Sequence, residues 1–335
     1  MSFPLTWYDG RRILITGGLG FLGSSLAIRL VSLGAKVTIL DSMIPGLGGN
    51  WRNIDPIKEQ VHLCQDDMRN FDALARIVLD QDAIFHLAGQ VSHGDSMREP
   101  LKDLGINCVS TMNLVESCRQ HNPNTRIVFT STRQVYGVPQ ALPVREDHPT
   151  LPVDVNGINK LAAEYYHLLY HRVYNLRSTV LRLTNTYGPR LQIRNDHQGF
   201  IGVFLKRSLQ GEEIRIFGDG QQVRDFNYVD DVVEALVVSL LHEDCFGRVF
   251  NLGSQERFSL LEFVATLGEV VPLTWKLIPF PYDKEIIDIG DYYGDYSGFS
   301  NLTGWRPTTD LYDGLLKAVT FYRSNFGSYL SSQQS

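Results

Sequence analysis

The sequence predicts an α/β protein, a doubly wound parallel sheet with a smaller C-terminal lobe, on three observations. Short β-branched runs alternate with helical patterns through the first half. A glycine-rich turn separates the first run from the first helix. After Asn185 the texture changes to irregular segments such as YGPR, QGF and FGDGQQVRDF. With 335 residues the chain has the length for two domains.

The elements follow in order. Arg12 to Thr16 (RILIT) reads as the first strand and Phe21 to Leu33 as the first helix. Strands follow at Lys36 to Leu40, Val61 to Cys64 and Ala83 to His86, with a helix at Phe71 to Leu79. A helix from Leu101 to Arg119 leads to strand Arg126 to Ser131, and a helix from Gly157 to Tyr174 leads to strand Ser178 to Leu183. Helix Asp230 to Leu241 followed by strand Arg248 to Leu252 reads as a return to the sheet. The division is therefore 1–185 with 230–255 as the first domain, and 186–335 as the second lobe. A Pro/Tyr/Asp-rich stretch runs from Pro279 to Tyr296, and the terminal SSQQS is expected to be frayed.

Composition narrows the partners. The net charge is −6, with no basic run, so the chain offers no electrostatic footprint for nucleic acid or an anionic membrane. No stretch approaches 18 consecutive apolar residues and the N-terminus has no leader pattern, so a cytoplasmic protein is expected. Cys64, Cys108, Cys118 and Cys245 lack CxxC spacing, and the His167/His171 pair lacks the Glu of HExxH, so no metal is expected.

Thr16-Gly17-Gly18-Leu19-Gly20-Phe21-Leu22-Gly23 stands where a pyrophosphate meets backbone N–H groups at a helix N-terminus. Gly17, Gly20 and Gly23 permit the turn, the close phosphate contact and the helix–strand packing. Asp41 ends the second strand about 20 residues later and suits the ribose hydroxyls. No Arg directly follows it, which favours NAD over NADP. After the third strand, Asp67 and Met68 can take the adenine amine and ring, or the acidic pair can cap the next helix.

These motifs resemble the extended short-chain dehydrogenase/reductase family, in its nucleotide-sugar epimerase and dehydratase branch, over nearly the whole chain. TGGLGFLG is similar to TGGxGFxG, and His86-Leu87-Ala88-Gly89 to the HLAA segment beside the cofactor. Ser131 to Gly137 resembles SS(S/T)xxVYG, Arg182 to Pro189 resembles RxxNxYGP, and Gly218 to Asp231 resembles GDGxQxRDFxYVxD. The resemblance implies a Rossmann-type domain holding NAD at Gly17, Gly20, Phe21, Leu22, Gly23, Asp41, Asp67, Met68, Leu87, Ala88, Gly89 and Lys160. It implies a nucleoside diphosphate sugar as partner. Thr132 would bind the reacting hydroxyl, Asn185 and Arg224 the diphosphate, and Phe200 and Phe217 the surroundings of the base. A homodimer through the helices at 101–119 and 157–174 is expected, the second carrying Tyr165, Tyr166, Leu169, Tyr170 and Tyr174.

One departure stands out. The family's YxxxK pairs a phenolic base with a lysine, yet here Asn156 precedes Lys160 in that register. An amide does not ionise. Three readings stay open: another base replaces the Tyr, the reaction needs less proton abstraction, or the chain binds NAD and a sugar nucleotide without turnover. His93 is the candidate substitute, a solvated loop histidine being the plainer reading. Arg133 and Gln134 stand where the dehydratases carry Asp-Glu, which favours epimerisation over dehydration. Arg133 is expected to face the sugar and to suit a carboxylate there, or else to turn to solvent or Glu146. Catalytic candidates are thus Thr132, Asn156 and Lys160, with His93 and Arg133 on the substrate.

Overall fold

A computed structural model describes residues 2–196 and 198–330, so the terminal SSQQS lies outside the described residues. Seven parallel strands form the main sheet: β1 (Arg12–Thr16), β2 (Lys36–Leu40), β3 (Val61–Cys64), β4 (Ala83–His86), β5 (Arg126–Thr132), β6 (Arg177–Leu183) and β7 (Val249–Asn251). Their order is β7-β6-β5-β4-β1-β2-β3, so the direction of winding reverses between β1 and β4. A crevice at the carboxyl ends of the strands opens at such a reversal. Ile13, Leu14 and Ile15 are fully buried, as central parallel strands covered on both faces require.

The flanking helices include α1 (Phe21–Ser32), α2 (Phe71–Ile77), α3 (His93–Arg98), α4 (Ser110–His121) and α5 (Val155–Tyr174). One helix differs from expectation. In place of a single helix from Leu101 to Arg119, the chain forms α3, a short turn at Pro100–Asp103, a π-helical turn at Leu104–Val109 and then α4. Pro100 sits at the first position of its turn and starts a new segment, because it carries no N–H to continue α3. The π-turn widens the backbone where Asp103, Ile106 and Asn107 reach inward, a common use of such turns at sites.

Beyond Leu183 the chain builds a three-stranded sheet (Arg257–Ser259, Val223–Tyr228, Asn185–Tyr187) and a parallel pair (Ile214–Phe217 with Trp275–Ile278). Strand β7 leaves this lobe and pairs with β6. The stretch rich in Pro, Tyr and Asp folds back over the end of β5: Ile289 and Tyr292 pack with Val135, Tyr136 and Val144.

A buried ion pair ties these parts together. Arg182 on β6 donates to Glu164 on α5 at 2.6 Å and to the Tyr136 hydroxyl at 2.7 Å; that hydroxyl donates to Asn251 at the end of β7. Removing one partner of such a pair leaves an uncompensated buried charge. Glu164→Ala is therefore expected to destabilise the protein by about 3–5 kcal/mol, read as a lower urea midpoint at unchanged slope. An unchanged midpoint would contradict the role of the pair.

Candidate functional site

The crevice between β1 and β4 holds a cavity of about 220 Å³. Its wall carries Gly17, Gly20, Phe21, Leu22, Gly23, Asp41, Asp67, Met68, Leu87, Ala88 and Gly89, eleven residues singled out in the sequence. The glycines have a steric reason. Gly17 has φ +70°, and a Cβ there would lie 2.8 Å from the Ala88 backbone; a Cβ on Gly23 would lie 2.2 Å from the Gly17 carbonyl. Helix α1 begins at Gly20 with no side-chain cap, so its first-turn amides are left to an anionic ligand. The cradle fits a dinucleotide pyrophosphate.

Asp41 faces the same cavity and accepts from the Leu19 and Met43 amides at 3.0 and 2.9 Å, while burial pushes its carboxyl up from the ordinary range. Asp67 is held by Arg69 at 2.6 Å, which keeps its carboxyl low, and Arg69 itself lines the cavity. The acidic pair does not cap α2, because Asn70 does so through the Ala73 amide.

The sequence reading overlooked the far wall. Gly48 and Gly49 close it from the loop after β2, and Gln192 and Gln198 close it from beyond Leu183. The Gly46 carbonyl accepts from Gln198 at 3.1 Å and from Asn195 at 3.3 Å, which straps the loop to the other lobe. The glycine-rich run of residues 46–49 was a visible signal for the loop; nothing local marked the two glutamines.

Beside the cavity, the Lys160 ammonium donates to the Thr130 carbonyl at 3.1 Å and lies against Gly89. Burial pushes it down to about 8, against the pull of Asp103 and Glu164. Thr132 ends β5, and its hydroxyl accepts from the Gln134 amide at 3.2 Å.

Asn156 is buried in the first turn of α5. Its amide nitrogen donates to the Gln90 carbonyl at 2.7 Å and to Asp103 at 3.2 Å, so it is a buried tie between α5 and the turn after β4. Asn159 donates to the other oxygen of Asp103 at 2.7 Å, and Asn107 clasps the Gln90 peptide from both sides. Asp103 is 1% exposed, and these two amides are its hydrogen-bond donors among the described residues.

His93 is not a loop residue. It is the first residue of α3, and its Nδ1 lies 2.9 Å from the fully buried carboxylate of Asp154, off the line of an ideal hydrogen bond. Asp154 caps α5 through the Gly157 amide and accepts from Gln134 at 2.9 Å. Burial would raise its carboxyl; His93, Gly157 and Gln134 hold it below the ordinary range instead.

Arg133 packs against the stretch rich in Pro, Tyr and Asp. Its guanidinium lies 5.5 Å above the Tyr292 ring, and its buried Nε finds no hydrogen-bond partner among the described residues. Arg224 differs from expectation: its guanidinium is buried and turned back onto its own lobe, donating to the Val223 and Gly290 carbonyls and pairing with Asp288 at 3.3 Å. Asn185 donates to the Asp225 carbonyl at 3.1 Å. Phe200 also differs, its ring packing against Phe204, Phe226 and Phe263 of the core because an apolar helix face covers it. Phe217 stands against Phe280 and Lys284. His167 and His171 turn to separate partners, Ser178 and the Leu176 carbonyl.

Comparison with known proteins agrees with this arrangement. The model of the NAD dependent epimerase/dehydratase family matches residues 13–253. A UDP-glucose 4-epimerase of Mycolicibacterium smegmatis is 31% identical over 93% of this chain and 99% of its own. A UDP-glucuronic acid decarboxylase of Danio rerio is 30% identical over 94% of this chain and 73% of its own. The crystal structure of a Thermotoga maritima UDP-glucose 4-epimerase with UDP-glucose superposes with a TM-score of 0.85 at 30% identity, covering 94% of this chain and 99% of the other.

Truncating Asn156 tests its structural tie. Asn156→Ala removes a hydrogen bond to a buried charge, and should destabilise the fold by about 1.5–3 kcal/mol, measured by urea denaturation. Stability equal to the parent protein would show that Asp103 does not need this amide.

Proposed function

Because this chain belongs to the NAD dependent epimerase/dehydratase family, within the extended short-chain dehydrogenases/reductases, we propose that it is a nucleotide-sugar epimerase. In this reading a carbon of a nucleoside diphosphate hexose is transiently oxidised and then re-reduced. The observation that carries the proposal is the glycine cradle for NAD, with the Lys160 ammonium against Gly89 on its wall. Bound NAD supplies a reversible hydride acceptor beside the sugar.

The chain's own residues divide the remaining work. Gly17, Gly20 and Gly23 would let the pyrophosphate approach the backbone, and Asp41 would accept from the adenosine ribose. Lys160 would donate to the nicotinamide ribose. Thr132 hydrogen-bonds the reacting hydroxyl as donor and acceptor. Arg224, committed to carbonyls and Asp288, orders the lobe that covers the substrate, and Asn185 stands beside it.

A second reading, nucleotide-sugar decarboxylation, draws support from Arg133 and from the UDP-glucuronic acid decarboxylase relative. A buried guanidinium whose Nε has no partner among the described residues favours a carboxylate on the sugar in either case. Dehydration is disfavoured, since Gln134 is engaged with Asp154 and neither it nor Arg133 has a carboxyl group. A non-catalytic binding protein is the remaining alternative, and turnover separates it.

The partner surface points to a homodimer. Met97, Leu101 and Leu104 on one side, and Ile158, Tyr165, Leu169, Val173 and Tyr174 on α5, are exposed apolar side chains, Leu101 at 81%. An apolar face of this kind marks a contact. No described helix is long and apolar enough to cross a membrane.

Three tests follow from these assignments. Holoprotein incubated with UDP-hexoses and UDP-hexuronates is expected to give isomer peaks by chromatography, the hexuronates binding better, and Arg133→Ala should erase that preference. Equal binding of both classes would remove the Arg133 assignment. Mass spectrometry of the released cofactor should find NAD; stoichiometric NADP would show that Asp41 does not face the ribose. Because Lys160 is pushed down to about 8, its ammonium prevails at pH 7 and fades as pH rises through that value. NAD affinity should then fall by up to about tenfold per pH unit above it, a slope that Lys160→Met abolishes.

A further inference from the structure

If the chain is an epimerase, some group must take the proton of the sugar hydroxyl as that carbon is oxidised. Position 156 does not serve, since its amide is buried and its nitrogen is engaged by Gln90 and Asp103. Thr132 is bound by the Gln134 amide and has no basic group of its own. Lys160 donates to the Thr130 carbonyl and lies against Gly89 on the dinucleotide side.

The structure places another pair at the same spot. The Ser96 hydroxyl of α3 accepts the Asn156 amide N–H at 3.2 Å, and His93 stands one turn earlier on the same short helix. Val91, two residues before His93, lines the cavity. Behind the imidazole stands the Asp154 carboxylate, fully buried, with Nδ1 at 2.9 Å. The carboxylate is itself fixed, by the Gly157 amide at 2.6 Å and by the Gln134 side chain at 2.9 Å, and the Gln134 backbone N–H in turn donates to the Thr132 hydroxyl. The imidazole remains 37% exposed, and its Nε2 makes no hydrogen bond among the described residues.

We propose that His93 is the proton acceptor that replaces the missing phenol, and that Asp154 is its positioning residue. The proposal rests on the epimerase reading above. The carboxylate, 2.9 Å from Nδ1 though off the hydrogen-bond line, would hold hydrogen there once the ring turns into line, which leaves the lone pair on the exposed Nε2. The O–H bond of the sugar breaks and its proton goes to Nε2. The C–H bond breaks with its electron pair leaving as hydride to the oxidised nicotinamide, and the carbon–oxygen bond becomes a carbonyl. Re-reduction returns hydride to the other face, and the imidazolium gives back the proton, so the cycle closes with no net change in oxidation state. The buried carboxylate stabilises the imidazolium in between, the service a third group gives to an activated base.

The test uses the holoprotein with its bound cofactor and the UDP-sugar it converts fastest. His93→Ala and Asp154→Asn are compared with the parent, the latter because Asn still caps α5. His93→Ala is expected to lower kcat by about 10²- to 10⁴-fold with KM unchanged, and imidazole added to the buffer should restore part of it. Asp154→Asn should lower kcat by about tenfold or more at unchanged KM, and should shift the His93 ¹⁵N resonances away from the Nδ1-protonated tautomer. Turnover of His93→Ala near the parent rate overturns the proposal. So does a change confined to KM, or a His93 tautomer that Asp154→Asn leaves unmoved. If the parent protein converts no sugar nucleotide, the epimerase reading itself fails and takes this assignment with it, an outcome visible before any variant is made.

Discussion

Much of the site is arranged around one buried charge. Asp103 is almost inaccessible to water, and a carboxylate there persists only if protein donors replace its hydration. Asn156 and Asn159, three residues apart on α5, supply them, and Asn156 also holds the Gln90 peptide. The π-turn after Asp103 swings Asn107 onto that same peptide. The end of β4, the entry to α4 and the first turn of α5 are thereby fixed to one another. Lys160, one turn further along α5, inherits its place from this lock.

The lock also explains why a phenol is missing. A tyrosine at 156 could not donate twice from one nitrogen, and Asp103 would lose an amide. The residue at this position thus secures the scaffold, while proton chemistry is left to side chains nearby. A similar division holds in the other lobe. Arg224 is consumed by local carbonyls, whereas Arg133 lies over the Tyr292 ring with its Nε unpartnered among the described residues. Two guanidiniums that look alike in the sequence therefore differ in what they can offer a ligand.

How far the sequence could be read depended on the range of the interactions. The sheet strands were legible because β-branched runs bounded by turns are local signals, and the glycine spacing of residues 17–23 reports a steric need met within one turn. The split of the 93–121 segment was not legible, since a π-turn has no strong composition of its own. Phe200 looked like a ligand platform because its apolar neighbours, Phe226 and Phe263, lie far along the chain. Asp103 and Asp154 carried no motif at all. Their meaning comes from packing against residues about 50 to 60 positions away, which no window of residues displays.

The strap across the dinucleotide cavity has a kinetic meaning. Asn195 and Gln198 of one lobe hold the Gly46 carbonyl of the other, over the groove that Gly48 and Gly49 border. Each such bond contributes about 0.5–1.5 kcal/mol, so the pair favours the closed loop by roughly five- to a hundredfold over the open one. A dinucleotide held beneath the loop would then exchange with the free pool through that open minority, at a rate set by the protein rather than by diffusion.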